Sequence, residues 1–106
     1  NLNQERFYVL LLDGKGRLRG EVRVSEGSLT ASLVHPRGVF RRALRESAAS
    51  LILVHNHPRG DPTPSAEDEA LTRRLRAAGD LLGVKVVDHV VIGRRRWLSF
   101  LETGRL

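Results

Sequence analysis

The sequence predicts an α/β (α+β) fold in which a mixed β-sheet is flanked by helices. Three observations carry this expectation. Runs of strand formers lie toward both ends of the chain, bounded by glycine-bearing turns. Residues 51–54 are short and wholly apolar, as expected of a central strand covered on both faces. Two stretches between the strands place apolar residues at helical spacing. The chain has 106 residues, the size of a single domain. That length buries enough surface to fold without staples.

Taken in order, residues 7–12 are apolar and rich in strand formers, and Asp13-Gly14-Lys15-Gly16 reads as a hairpin turn. Residues 17–25 then alternate, with Leu18, Val22 and Val24 separated by charge, which suits a strand with one wet face. Glu26-Gly27 reads as a turn and residues 29–34 as a third strand. Pro36 fits a first helical turn, and Val39, Phe40, Ala43 and Leu44 recur at helical spacing behind it. Residues 55–64 are polar and rich in Gly and Pro, which predicts a loop. Ser65 is expected to start a second helix, with Leu71, Leu75, Ala78 and Leu82 on one face and Gly83 ending it. Residues 84–92 and 97–101 are the last two strands, around a turn at Arg94-Arg95-Arg96. The predicted order is β-β-β-α-β-α-β-β.

Composition narrows the chemistry. There is no cysteine, so disulfides, thiolate metal sites and cysteine nucleophiles are excluded. Histidine and carboxylate remain as the strong metal ligands. The net charge is +6, carried mostly by arginine spread along the chain, which permits contact with DNA or an acidic protein. One Trp, one Tyr and three Phe make a poor stacking platform for single strands. No apolar run approaches the ~18 residues that span a bilayer, and no basic-then-apolar leader is present, so no membrane partner and a cytoplasmic setting are expected. The chain opens on Asn1 and holds no methionine, which suggests a piece of a longer protein.

The chemistry gathers at His55-Asn56-His57-Pro58 and at Ser65-Ala66-Glu67-Asp68. Side chains two apart on an extended chain point the same way, so His55 and His57 leave the buried strand together. Pro58, Pro62 and Pro64 stiffen the loop that follows and deliver the next helix to a repeatable position. With Ser65 as N-cap, Asp68 is the third helical residue, close to the strand end the histidines left. Two imidazoles and one carboxylate would hold a tetrahedral zinc with one position left for water, the catalytic pattern. Spacing alone leaves a second reading open: hydrogen-bonded histidines beside a helix cap whose aspartate answers the helix dipole. Gly60-Asp61-Pro62 is turn chemistry. His89, inside a predicted strand, reads as a hydrogen-bonded structural or supporting residue, and His35 as local structure at a strand-to-helix corner.

These residues resemble a known pattern. His55, His57, Pro58, Ser65 and Asp68 match the JAMM (MPN-type) zinc-protease motif at every specified position. The wider text is similar to the bacterial RadC family: His55 to Ser65, Leu71-Thr72, Leu75, Asp88-His89-Val90-Val91-Ile92-Gly93 and Ser99-Phe100. The resemblance runs from Glu5 to nearly the end of the chain. It departs at Gly38 and Arg59, where the family habitually carries Glu and Ser. Arg59 adjoins the motif and would alter what binds there.

The resemblance implies a JAMM/MPN (cytidine-deaminase-like) architecture, with His55, His57 and Asp68 holding Zn2+. It also implies a helix-hairpin-helix segment ahead of the domain in the full-length protein. Members of the JAMM class cleave peptide or isopeptide bonds with a zinc-activated water, which makes a peptide or isopeptide-linked protein the expected substrate. A glutamate near the start of an early strand serves as general base, and Glu5 is the matching position. Glu21, Glu26 and Glu46 are weaker candidates. Ser65 would donate its hydroxyl proton to the developing oxyanion. Two other classes stand beside this one: a DNA-repair-associated or nucleic-acid-binding domain, and a metal-binding interaction module without catalysis. Oligomeric state is not legible.

Overall fold

A computed structural model describes residues 4–27 and 34–106. Five strands form one sheet in the order β2-β1-β3-β4-β5. β1 (Glu5–Leu12) and β2 (Leu18–Gly27) make an antiparallel hairpin. Its turn is closed by Asp13, whose carboxylate accepts the Lys15 and Arg17 amides at 2.9 Å each. α1 is Pro36–Arg45, β3 is Ser50–Asn56 and α2 is Ala66–Leu82. β4 (Lys85–Ile92) lies parallel to β3, and β5 (Trp97–Ser99) closes the edge antiparallel to β4. The expected mixed sheet with helices is therefore what the chain forms.

Each helix follows from its residues. Pro36 sits at the start of α1, and Val39, Phe40 and Ala43 bury one stripe. α2 begins with a capping box. Ser65 Oγ accepts from the Asp68 amide at 3.0 Å, and Asp68 Oδ2 accepts from the Ser65 amide at 2.8 Å. Leu71, Thr72, Leu75 and Gly79 form its buried stripe. Gly83 ends it in the left-handed conformation, φ 78°, which a side chain would resist.

Four expectations are corrected. The turn expected at Glu26-Gly27 is strand, because β2 keeps pairing with β1 as far as Glu5↔Gly27. His55 and Asn56 belong to β3 and not to the loop, since β3 pairs with β4 out to Asn56↔Ile92. β3 is central but covered by the helices on one face only: Leu51, Leu53 and His55 are buried while Ile52 and Val54 are half-buried. The reason is that α1 and α2 share one core, with Val39, Phe40, Ala43, Leu71 and Leu75 all packed against Phe7, Val9, Leu11, Leu51 and Leu53. Leu44 and Leu82, expected on buried helix faces, are 47% and 44% exposed, because that core is filled by Phe40 and by the close approach of α2 at Gly79. The strand expected over residues 29–34 falls outside the described residues except for Val34, which is buried.

Candidate metal centre

The site forms where β3 runs out. His55 is the last buried residue on the face that carries Leu51 and Leu53, and its ring is 2% exposed. Phe7, its partner across β1, stacks on it with ring centres 5.7 Å apart. Asn56 faces the other way and ties the two strands together. Its Oδ1 accepts from the Arg6 amide at 2.6 Å and its Nδ2 donates to the Gln4 carbonyl at 2.9 Å. This clamp holds the start of β1, and with it Glu5, beside the end of β3. His57 is fixed by its backbone, whose N–H donates to the Ile92 carbonyl at 2.8 Å.

Three side chains converge. His55 Nε2 lies 3.0 Å from His57 Nε2 and 3.4 Å from Asp68 Oδ1. His57 Nε2 lies 3.1 Å from Asp68 Oδ2. One ligand atom from each of the three residues falls within 4.8 Å of the others. The capping box explains why Asp68 can reach: it fixes the carboxylate at the first turn of α2, aimed at the strand end. Glu5, Arg59 and Ser65 line the same cleft, about 360 Å³ in volume.

The hydrogen bonds around the rings assign their protons. Thr72 Oγ1 donates to the Asp68 carbonyl at 2.8 Å and meets His89 Nδ1 at 2.6 Å. A hydroxyl has one proton, so both contacts hold together only if His89 Nδ1–H donates to it. His89 Nε2 is then an acceptor, and His55 Nδ1–H donates to it across 2.7 Å. His57 Nδ1–H donates to the Asp61 carbonyl at 2.9 Å. Both Nε2 atoms are thereby left as bare lone pairs, facing each other and a carboxylate. Such a donor-free cluster of acceptors fits a divalent cation, and a pair of imidazoles with one carboxylate suits zinc.

Electrostatics agrees with that assignment. Burial pushes the Asp68 carboxyl up, but its close approach to the His55 ring and the hydrogen bond it accepts from the Ser65 amide outweigh this and hold it well below the usual carboxylate range. It is an anion at neutral pH. His89 is driven down to about 3, first by burial and then by its neighbour His55, so it stays neutral and can accept a hydrogen bond from His55. Asp61 is spent otherwise. Its carboxylate accepts from the Thr63 amide at 3.0 Å and the Thr63 hydroxyl at 2.8 Å, the turn chemistry its neighbours indicated. Glu46 pairs with Arg42, away from the cleft. The side chain of Glu26 lies outside what is described.

The chain matches the RadC-like JAB domain over residues 1–105. It belongs to that family. A UPF0758 protein of Geotalea uraniireducens is 62% identical over 103 residues, covering 97% of this chain and 45% of the relative. UPF0758 proteins of Pelobacter propionicus and Trichlorobacter lovleyi are 61% and 58% identical over the same share. The RadC-like chain thus spans about half the length of the curated relatives it matches. Among its described residues no helix is long and apolar enough to cross a membrane.

Some parts of the site escaped sequence reasoning. The relay Thr72–His89–His55 joins three elements, and only the buried character of His89 hinted at it. The Asn56 clamp carried no signal. The third part is a close approach: a Cβ on Gly93 would meet the Gly60 carbonyl oxygen at 2.2 Å. This lets Arg94 N–H donate to that carbonyl at 2.8 Å, so the arginine hairpin braces the loop that carries His57. A pair of glycines far apart in sequence is too weak a pattern to read in advance.

Proposed function

We propose that the chain is the catalytic domain of a zinc-dependent hydrolase, a metallopeptidase or isopeptidase of the JAMM type. The observation that carries this is the convergence of two bare Nε2 lone pairs and an ionised carboxylate in an open cleft, with no proton donor among them. His55, His57 and Asp68 would hold the ion. When bound, zinc polarises the scissile carbonyl and makes water a nucleophile near neutral pH.

The chain's own residues do the rest. Glu5 lies in the wall of the cleft at the start of β1. It takes a proton from the attacking water and passes it to the leaving amine as the carbon–nitrogen bond breaks. Ser65 donates its hydroxyl hydrogen to the carbonyl oxygen as charge develops there. This is compatible with capping α2, because the cap uses an oxygen lone pair to accept from Asp68. His89 and Thr72 keep His55 in the tautomer that presents Nε2 to the cation.

The test is a crystal of the zinc-soaked protein with an anomalous map at the zinc edge, paired with a chelator-competition titration. Density between His55, His57 and Asp68 is expected. Glu5→Gln should bind zinc as tightly as the parent and lose peptide or isopeptide hydrolysis by roughly 10²–10⁴-fold. Failure to take up any divalent ion would sink the reading.

A further inference from the structure

We infer that a groove running from the metal cleft to Trp97 takes an acidic stretch of polypeptide bearing bulky apolar residues. Three hollows share lining residues in succession. The metal cleft includes His57 and Pro58. The next, about 130 Å³, shares those two residues and adds Ile92, Gly93 and Arg94. The last, about 460 Å³, shares Ile92 and Gly93 and adds Arg95, Arg96 and Trp97.

The far end is built for an apolar side chain. Ile92 and Trp97 are paired across β4 and β5, on the sheet face away from the helices. They are 44% and 60% exposed, unusual for such residues side by side. Arg94, Arg95 and Arg96 rim this strip, and Arg59 stands at the metal end; all four are exposed. An exposed ion pair at 3.6 Å joins Arg96 to Asp61. The hairpin is fastened to the ligand loop by the Arg94–Gly60 and His57–Ile92 backbone bonds, so the groove and the metal ligands share one rigid frame.

Charge orders the occupant along the groove. Carboxylates gather at the metal end, where Glu5, Asp61 and Glu67 line the cleft. The cations stand mostly along the hairpin. A polyphosphate backbone would meet repulsion where the carboxylates are, while a neutral amide would not. A polypeptide satisfies both ends: its scissile amide lies at the cleft, and its acidic and apolar residues lie along the arginine hairpin. This deepens the hydrolase reading by naming a substrate class, and rests on it only for the statement that what binds is also cut.

Trp97 is the sole tryptophan, so its fluorescence reports the groove directly. The titrant is a blocked peptide alternating glutamate and leucine. The controls are its lysine counterpart and an oligothymidylate. A saturable change in Trp97 emission is expected with the acidic peptide alone, weakening as salt rises. R94E/R95E should bind about tenfold more weakly or worse through like-charge repulsion, with an unchanged thermal melt. A flat titration, insensitivity to both salt and charge reversal, or equal response to the lysine peptide or the oligothymidylate overturns the inference. Zinc uptake without peptide binding sinks the groove alone. Peptide binding without zinc uptake sinks the metal reading alone.

Discussion

Along one face of β3, Leu51, Leu53 and His55 are 0%, 0% and 2% exposed, yet they sit in two different kinds of interior. The first two belong to the shared apolar core. That packing tolerates any shape-matched hydrocarbon. The third meets His89, His57 and Asp68, with Thr72 behind His89, and here every proton must have a partner. Two residues further along a strand, the requirement changes from filling volume to satisfying hydrogen bonds. The apolar half supplies stability, and the polar half specifies geometry.

The contrast can be broken at several points. The largest effect is expected from His57→Ala. Zinc affinity should fall by about a thousandfold or more with a ligand gone, while the metal-free melt barely moves. If the metal-free protein unfolded instead, the polar half would be a stabilising element and the contrast would fail. Leu53→Ala should do the reverse. A loss of about 3 kcal/mol in urea unfolding is expected from the cavity, with zinc affinity of the folded fraction unchanged.

The polar half should also be the acid-sensitive one. His89 binds its proton near its ordinary 6.5 when unfolded and only at about 3 when folded. Between those values the unfolded chain holds more protons, so stability of the metal-free protein falls as pH drops from 6.5 toward 3. Urea melts at about pH 7 and about pH 5, on either side of the unfolded value, check this. Equal midpoints would show that His89 is not neutral by burial.

Thr72→Val keeps the shape and deletes the hydroxyl that receives the His89 proton. Zinc should bind roughly 10–100-fold more weakly, and Thr72→Ser should restore it. Unchanged affinity would mean that the relay does not set the His55 tautomer. The smallest effect belongs to Ser65→Ala. Losing the cap should cost about 1 kcal/mol in thermal unfolding, with zinc affinity close to that of the parent, because Asp68 keeps its bond from the Ser65 amide.

Much of this arrangement was legible along the chain because its determinants are local. Ser65 and Gly83 bracket α2 as expected, since caps depend on residues within one turn. His55 and His57 point together because a strand repeats every two residues, and Asp68 follows at the third helical position. The hairpin at 93–96 stands where its glycine placed it. Errors came where pairing at a distance overrode a local sign. Glu26-Gly27 carries turn residues, yet β1 holds it as strand. The apolar run at 51–54 suits burial on both faces, but nothing in that run tells how many helices will cover it.

By itself, the sequence determined which side chains could grip a cation, how they space along one strand and one helix, and that cysteine chemistry plays no part. Only the tertiary structure decided that His89 and Thr72 stand behind His55, that Asn56 brings Glu5 to the cleft, and that Gly60 meets Gly93. The physical reason is range. Periodicity and capping act within a few residues. A proton relay, a strand clamp and a close backbone contact need groups from different elements brought within about 3 Å, which only the packed core arranges.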